Sequence, residues 1–184
     1  MKDPIIAHGI AIHEALVDVH AWLVANQAPV QTVAELAVRI ASPDVRAIYD
    51  DVLADVLASH YTAAFSYWRP RLQSYMSATF ANAGLDALLF PTTRLVAVPI
   101  DDLNGSSTVT IDGGPPIDTM EAFLRNTDPA STSGIPGLSL PAGLSASGLP
   151  VGLELDGPLG SDRRLLAIGV AIEQTLGALL PPVL

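Results

Sequence analysis

Gly137-Leu138-Ser139-Leu140-Pro141-Ala142 and Val151-Gly152-Leu153-Glu154-Leu155-Asp156 are two strand-like segments joined by a short stretch that includes Ser145-Ala146-Ser147-Gly148. A connection that short turns the chain straight back, so the pair reads as an antiparallel hairpin. Ser161-Asp162 then supplies a hydroxyl cap and an early acid for a final helix from Arg163 to Leu176, which Gly177 ends. Upstream, Leu85 to Pro91 (LDALLFP) is a short apolar run between Gly84 and a proline, the pattern of a buried strand. The stretch from Thr92 to about Pro116 is rich in Asp, Asn, Gly and Ser and reads as a long loop, with a short β-pair around Thr108–Ile111. Thr119 to Asn126 has room for one or two helical turns.

The first half has a different period. Ile12, Leu16, Val19 and Leu23 line one face of a helix from about His8 to Asn26. Thr32-Val33-Ala34-Glu35 is a capping box opening a short helix to about Ala41. Ser42-Pro43-Asp44 offers a hydroxyl cap, a proline at the first helical position and an early acid for a helix to about Ala58. A third helical stretch spans Ser59 to Ala83. Pro70 inside it has no amide hydrogen, so a break or kink is expected near Trp68-Arg69. Helices before and after apolar strands make the expected class α/β, a partial mixed β-sheet flanked by helices.

Composition narrows the partners. Apolar residues are 49% of the 184 and charged residues 15%, low for an isolated soluble surface, so some apolar surface is expected to be covered by another chain or segment. The net charge of −10 argues against nucleic acid and anionic membrane surfaces. The absence of cysteine removes disulfides and thiolate catalysis, and fits a cytoplasmic protein. Met1-Lys2-Asp3-Pro4 gives too small a basic region for a signal peptide. The longest uncharged stretch, Pro129 to Leu153, holds too many prolines and glycines for a membrane helix.

Self-contained chemistry is missing. There is no glycine-rich phosphate loop before a helix, no HExxH and no G-x-S-x-G elbow. Gly105-Ser106-Ser107 sits in a polar loop and reads as a turn. His13 and His20 share a helix face, but no further ligand at suitable spacing joins them into a metal site. His8 and His60 read as surface or packing residues. The acid pairs Asp50-Asp51 and Asp101-Asp102 read as solvated, since helix neighbours do not face each other.

The last third is distinctive. It runs Arg125-Asn126-Thr127-Asp128-Pro129, Ser133-Gly134-Ile135-Pro136-Gly137-Leu138-Ser139-Leu140-Pro141-Ala142-Gly143, then Gly148-Leu149-Pro150-Val151-Gly152-Leu153-Glu154-Leu155-Asp156-Gly157-Pro158 and Gly160-Ser161-Asp162. It resembles the C-terminal signature of the amidase-signature hydrolases, and Asp86-Ala87-Leu88-Leu89-Phe90-Pro91-Thr92-Thr93 is similar to that family's D-x-[IL]-[IL]-x-P-T segment. The resemblance spans about Pro4 to Gly177. R-N-T-x-P and G-L-E-L-D-G-P-x-G-S-D-R-R resemble the mandelamide hydrolase and indoleacetamide hydrolase branch. Ser131 stands where many members carry Asn, and Arg94 where the family often has Pro.

The resemblance implies a C-terminal half only: residues 1–184 form one incomplete domain, with a helical part over 1–84 and a strand-rich part over 85–184. The family's serine nucleophile, bridging serine and lysine base lie in its N-terminal half. Here there is no G-G-S-[SG]-G segment and the sole lysine is Lys2. No catalytic residue therefore carries over, and no cofactor or metal is implied. Thr92, Thr93, Asn126, Thr127 and Ser131, at strand ends and in adjoining loops, are the candidate substrate-binding residues; each reads equally well as a turn cap at a strand end. The expected partners are a small-molecule amide, once assembled, and either an N-terminal amidase half or a second copy of the chain. The competing readings are a truncated amidase relic that folds and self-associates, and a hydrolase built on a local serine.

Overall fold

The computed structural model describes residues 5–101, 103 and 105–177, so Met1–Pro4 and Asp102 lie outside the described residues. The chain forms two compact units, Met1–Arg71 with Pro99–Ser107, and Leu72–Val98 with Thr108–Leu184.

The first unit is helical: α1 (Ile5–Ala25), α2 (Val33–Ala37), α3 (Pro43–Ala54) and α4 (Ala58–Ala63). The capping box of α2 is present, with Thr32 accepting from the Glu35 amide and Glu35 accepting from the Thr32 amide. Two details of α3 differ from expectation. Ser42 occupies the cap position of α3, but its hydroxyl donates to the Asp44 carboxylate and makes no cap bond. Helix α3 also ends at Ala54, because Asp55 turns left-handed at φ 48°. Asp tolerates that conformation, and here its carboxylate is held 2.8 Å from His13 Nδ1 on α1. Tyr61 packs against His13 with the rings tilted and donates to Glu14 at 2.7 Å, tying α4 to the same helix. The expected break before Pro70 is a π-helical turn, Ala64–Trp68, leading into α5 (Arg69–Ala83). Proline has no N–H to donate and its ring crowds the carbonyl four residues back, here that of Ser66, so the tight ladder widens at this point.

The second unit holds the sheet. Strands β1 (Leu88–Pro91), β4 (Gly137–Leu144) and β5 (Pro150–Asp156) pair antiparallel in the order β1-β5-β4. The hairpin is present as read, lengthened at both strands, with a register shift between Pro141 and Gly143. Strands β2 (Thr108–Val109) and β3 (Ile117–Asp118) form a separate antiparallel pair. Asp118 then caps α6 (Thr119–Leu124) by accepting from the Glu121 amide at 2.8 Å. Helix α7 (Asp128–Ser133), which the sequence reading did not separate from the loop, has Pro129 in its first turn and ends on left-handed Gly134. The last helix, α8 (Asp162–Leu176), matches expectation in span, but the Ser161 hydroxyl makes no cap bond and is buried without a partner.

Register sorts the sheet into two faces. Leu138, Leu140, Leu153 and Leu155 share one, and α8 covers it: Leu140, Leu155 and Leu165 are buried, with Leu138, Ile168 and Ile172 packed around them. Burying each such leucine is worth about 1.5–3 kcal/mol. Gly169 makes the contact close, since a Cβ there would collide with the Leu138 side chain. The opposite face carries Leu88, Phe90, Gly137, Ser139, Glu154 and Asp156.

Glu154 and Asp156 are both buried, at 8% and 2% exposure, two residues apart on the middle strand. Burial first, and the Glu154 charge second, push the Asp156 carboxyl up from 3.8 to about 6. The folded state therefore holds this proton more tightly than the unfolded chain. Its stabilising effect is complete below about pH 4 and is lost as pH rises through about 6, a swing on the order of 3 kcal/mol. Asp156→Asn, which cannot ionise, is predicted to unfold at a higher urea concentration than the parent at pH 7.5, with the gap closing by pH 4. A gap that stays constant across that range would contradict the assignment.

Candidate functional site

The end of β1 gathers several of the short polar side chains expected to bind substrate. The Thr92 amide donates to Gly152 O at 3.0 Å, extending the β1–β5 pairing by one residue. The Thr92 hydroxyl lies 2.6 Å from the Ser139 hydroxyl on β4, so the two reach each other across the middle strand. Gly152 between them makes this possible. A Cβ at that position would sit 2.7 Å from Thr92 Oγ1 and 3.2 Å from Ser139 Oγ. Asn126 comes from the far side of the α6–α7 turn, and its amide nitrogen donates to Pro91 O at 2.8 Å. Thr92 and Asn126 are thus anchored on adjacent residues of one strand end.

The other candidates are placed differently. The Thr93 hydroxyl turns to Leu95 O at 2.7 Å, closing the turn that leaves β1. Thr127 donates to Leu124 O at 3.3 Å, a cap on the last turn of α6. Ser131 is exposed on α7, where its amide donates to Thr127 O at 3.2 Å. Thr127 and Ser131 share one helical turn, away from the Thr92–Ser139 contact in hydrogen bonding. Ser139 is the residue that sequence reasoning passed over. Its signal was its alternation: in Gly137-Leu138-Ser139-Leu140 the serine sits on the face opposite the leucines.

Among the described residues no group of three or more His, Asp or Glu is arranged to hold a metal. His13 is engaged by Asp55. Gly105-Ser106-Ser107 is a loop in which Gly105 is left-handed at φ 71° and the Ser106 amide donates to Asp44 Oδ2 at 3.3 Å. Together with the Ser42 hydroxyl, the larger influence, that bond holds the Asp44 carboxyl below its ordinary range. The helical unit has an open apolar hollow of about 310 Å³ lined by Leu16, His20, Thr32, Val33, Ala34 and Leu53, which presents no acid–base pair. No described helix is long and apolar enough to cross a membrane.

Gly152→Ala is predicted to separate Thr92 from Ser139 and to lower stability by about 1–3 kcal/mol, the usual range for an overpacked site. Urea denaturation checks this, and an unchanged midpoint would mean the hydroxyl pair is not held against the strand.

The β1 end, the hairpin and α8 recur in known proteins. The amidase family model matches residues 30–166. The indoleacetamide hydrolase of Rhizobium radiobacter is 44% identical over 140 residues, 75% of this chain and 29% of that protein. The mandelamide hydrolase of Pseudomonas putida is 38% identical over 183 residues, 91% of this chain and 33% of that protein. A crystal structure of an amidase superposes with a TM-score of 0.61 at 36% identity, covering 74% of this chain and 29% of that one. The peptide amidase of Stenotrophomonas maltophilia superposes over 96% of this chain and 34% of its own at TM-score 0.63, and at 23% identity it speaks for the fold alone. The chain spans about a third of the length of the curated relatives it matches. The family match takes in the hairpin, the end of β1 with Asn126, and the start of α8, and on that ground the chain belongs to the amidase family.

Proposed function

We propose that this chain is the C-terminal portion of an amidase that hydrolyses amide C–N bonds, and that it supplies sheet core and one wall of the substrate pocket. A single observation carries the reading. The matched chain accounts for only about 30% of the relatives' length, and it contains neither a G-G-S-[SG]-G segment nor any lysine beyond Lys2. The nucleophile, the bridging serine, the base and the oxyanion donors then come from the remaining portion. Thr92, Thr93, Asn126, Thr127 and Ser131 are the wall residues. The two hydrolases named above, of indoleacetamide and mandelamide, support primary amides of aryl-acetic acids as the substrate class.

A second reading, a relic that folds and self-associates, draws on the exposed apolar groups. Leu166 and Val170 lie one turn apart on α8, and Leu89 on β1 and Leu144 on β4 are also open. Burying such surface favours association by about 25 cal/mol per Å² before entropy is deducted. The net charge of −10 opposes it, but that repulsion is screened beyond roughly 8–10 Å. Sedimentation equilibrium at micromolar concentration is predicted to show a dimer of the isolated chain, the commonest closed form. A stable monomer would mean that the open strand edges and apolar side chains are tolerated in solution.

Purified alone, the chain is predicted not to hydrolyse mandelamide, since loss of even one oxyanion donor costs about 100-fold or more. Mixing it with the separately expressed N-terminal portion of the Pseudomonas putida mandelamide hydrolase is predicted to restore turnover. In that assembly Asn126→Ala should raise KM several-fold while costing on the order of 1 kcal/mol in stability, the worth of one hydrogen bond. A variant that simply unfolds would make Asn126 a structural anchor of Pro91. Turnover by the isolated chain that vanished with Ser106→Ala would overturn the assignment.

A further inference from the structure

The face of the sheet away from α8 carries a feature that the packing of this chain leaves uncompensated. Glu154 and Asp156 point the same way from β5, and both are buried. Their oxygens converge on the position of Gly137 in the neighbouring strand. A Cβ there would lie 2.9 Å from Glu154 Oε1 and 3.2 Å from Asp156 Oδ1. Gly137 itself is exposed. Asp156 Oδ1 is fully shielded and has no hydrogen-bond partner.

The groups around the pair are neutral. Register places Leu88 and Phe90 of β1 on one side and Ser139 of β4 on the other. In this unit Arg164 is paired with Asp86 and Arg125 with Glu121. No ion pair reaches Glu154 or Asp156 among the described residues. Two like charges taken out of water without a counter-ion are strongly unfavourable, and breaking a buried ion pair by removing one partner has the same effect. About two-thirds of the length of the relatives lies outside the region matched by this chain, so there is ample polypeptide to supply the missing partner.

We propose that Glu154 and Asp156 form a socket for an arginine guanidinium carried by the part of the amidase fold outside this chain, entering beside Gly137. This rests on the assembled-amidase reading above. The guanidinium is the cation that fits. It is planar, it presents five donors in a fixed fork, and it can satisfy two carboxylates at once, whereas an ammonium acts as a point charge.

Two measurements test the socket. The chain and the separately expressed N-terminal portion of the Pseudomonas putida mandelamide hydrolase are combined and followed by sedimentation velocity, using the parent, Asp156→Asn and Glu154→Gln. The parent is expected to form a one-to-one complex that either substitution weakens tenfold or more. Carboxyl-detected NMR of the parent chain with methylguanidinium requires no variant. Saturable shifts at Glu154 and Asp156 are expected that methylammonium and tetramethylammonium do not reproduce at equal ionic strength. Equal responses to all three cations would show screening alone and overturn the proposal, and a larger response to methylammonium would replace arginine by lysine and overturn it as stated. A complex that forms and is unchanged by both substitutions would sink the socket and leave the assembled amidase standing. No complex with the parent would sink the assembled-amidase reading and the source of the guanidinium with it.

Discussion

Strand β5 has a hydrogen-bonded neighbour on each side, β1 on one and β4 on the other, and the main sheet of the strand-rich unit is built on that arrangement. Because it is central, its side chains decide what each face of the sheet becomes. Leu155 joins Leu140 and Leu165 in the core beneath α8, where Gly169 leaves room for Leu138. Gly152, Glu154 and Asp156 go to the other face, where the first makes room for the Thr92–Ser139 contact and the other two are buried as acids. The outer strands are each satisfied on one edge by β5. Pro141 and the register shift beside it blunt part of the β4 edge, in the way natural sheets limit unwanted pairing.

The polar and apolar faces ask for different things. The apolar face is filled within the chain where α8 lies against β4 and β5, while Leu89 of β1, on the same face, stays open. The acidic face is buried yet uncompensated among the described residues, and a buried charge without a partner is strongly unfavourable. The amidase family match over a fraction of the relatives' length supplies a physical reason: the proposed missing portion would pair the edges and meet the charges.

Much of this was legible in the sequence, for reasons that particular residues make plain. The hairpin, the last helix and the break before Pro70 are governed by local chemistry, namely alternation, a short turn and a missing amide hydrogen. The C-terminal end of α3 and the caps of α3 and α8 were misread because other partners took the side chains. Asp44 captured the Ser42 hydroxyl, His13 held Asp55 in a left-handed turn, and Gly157 let Ser161 tuck inward. Helix α7 was hidden by its brevity and by polar residues that suit a loop equally well. At the site, Thr92 and Asn126 were found because they flank an apolar strand, but their convergence on Pro91–Thr92 is a product of folding that no spacing shows. Ser139 and the acid pair depend on strand register, which pairs Ser139 with Glu154 and Gly137 with Asp156; the sequence alone leaves that register open.

The claim that the sheet stops partway and is continued by the rest of an amidase is tested most directly by amide hydrogen exchange. The measurement follows Leu88–Pro91 and Gly137–Leu144 in the isolated chain and again after addition of the N-terminal portion of the mandelamide hydrolase. The account predicts that the outward-facing amides of these two strands exchange rapidly alone and become protected at least tenfold in the mixture, while β5 and α8 change little. Strand-edge amides already slow in a monomeric isolated chain, or unaffected by the added portion, would contradict it.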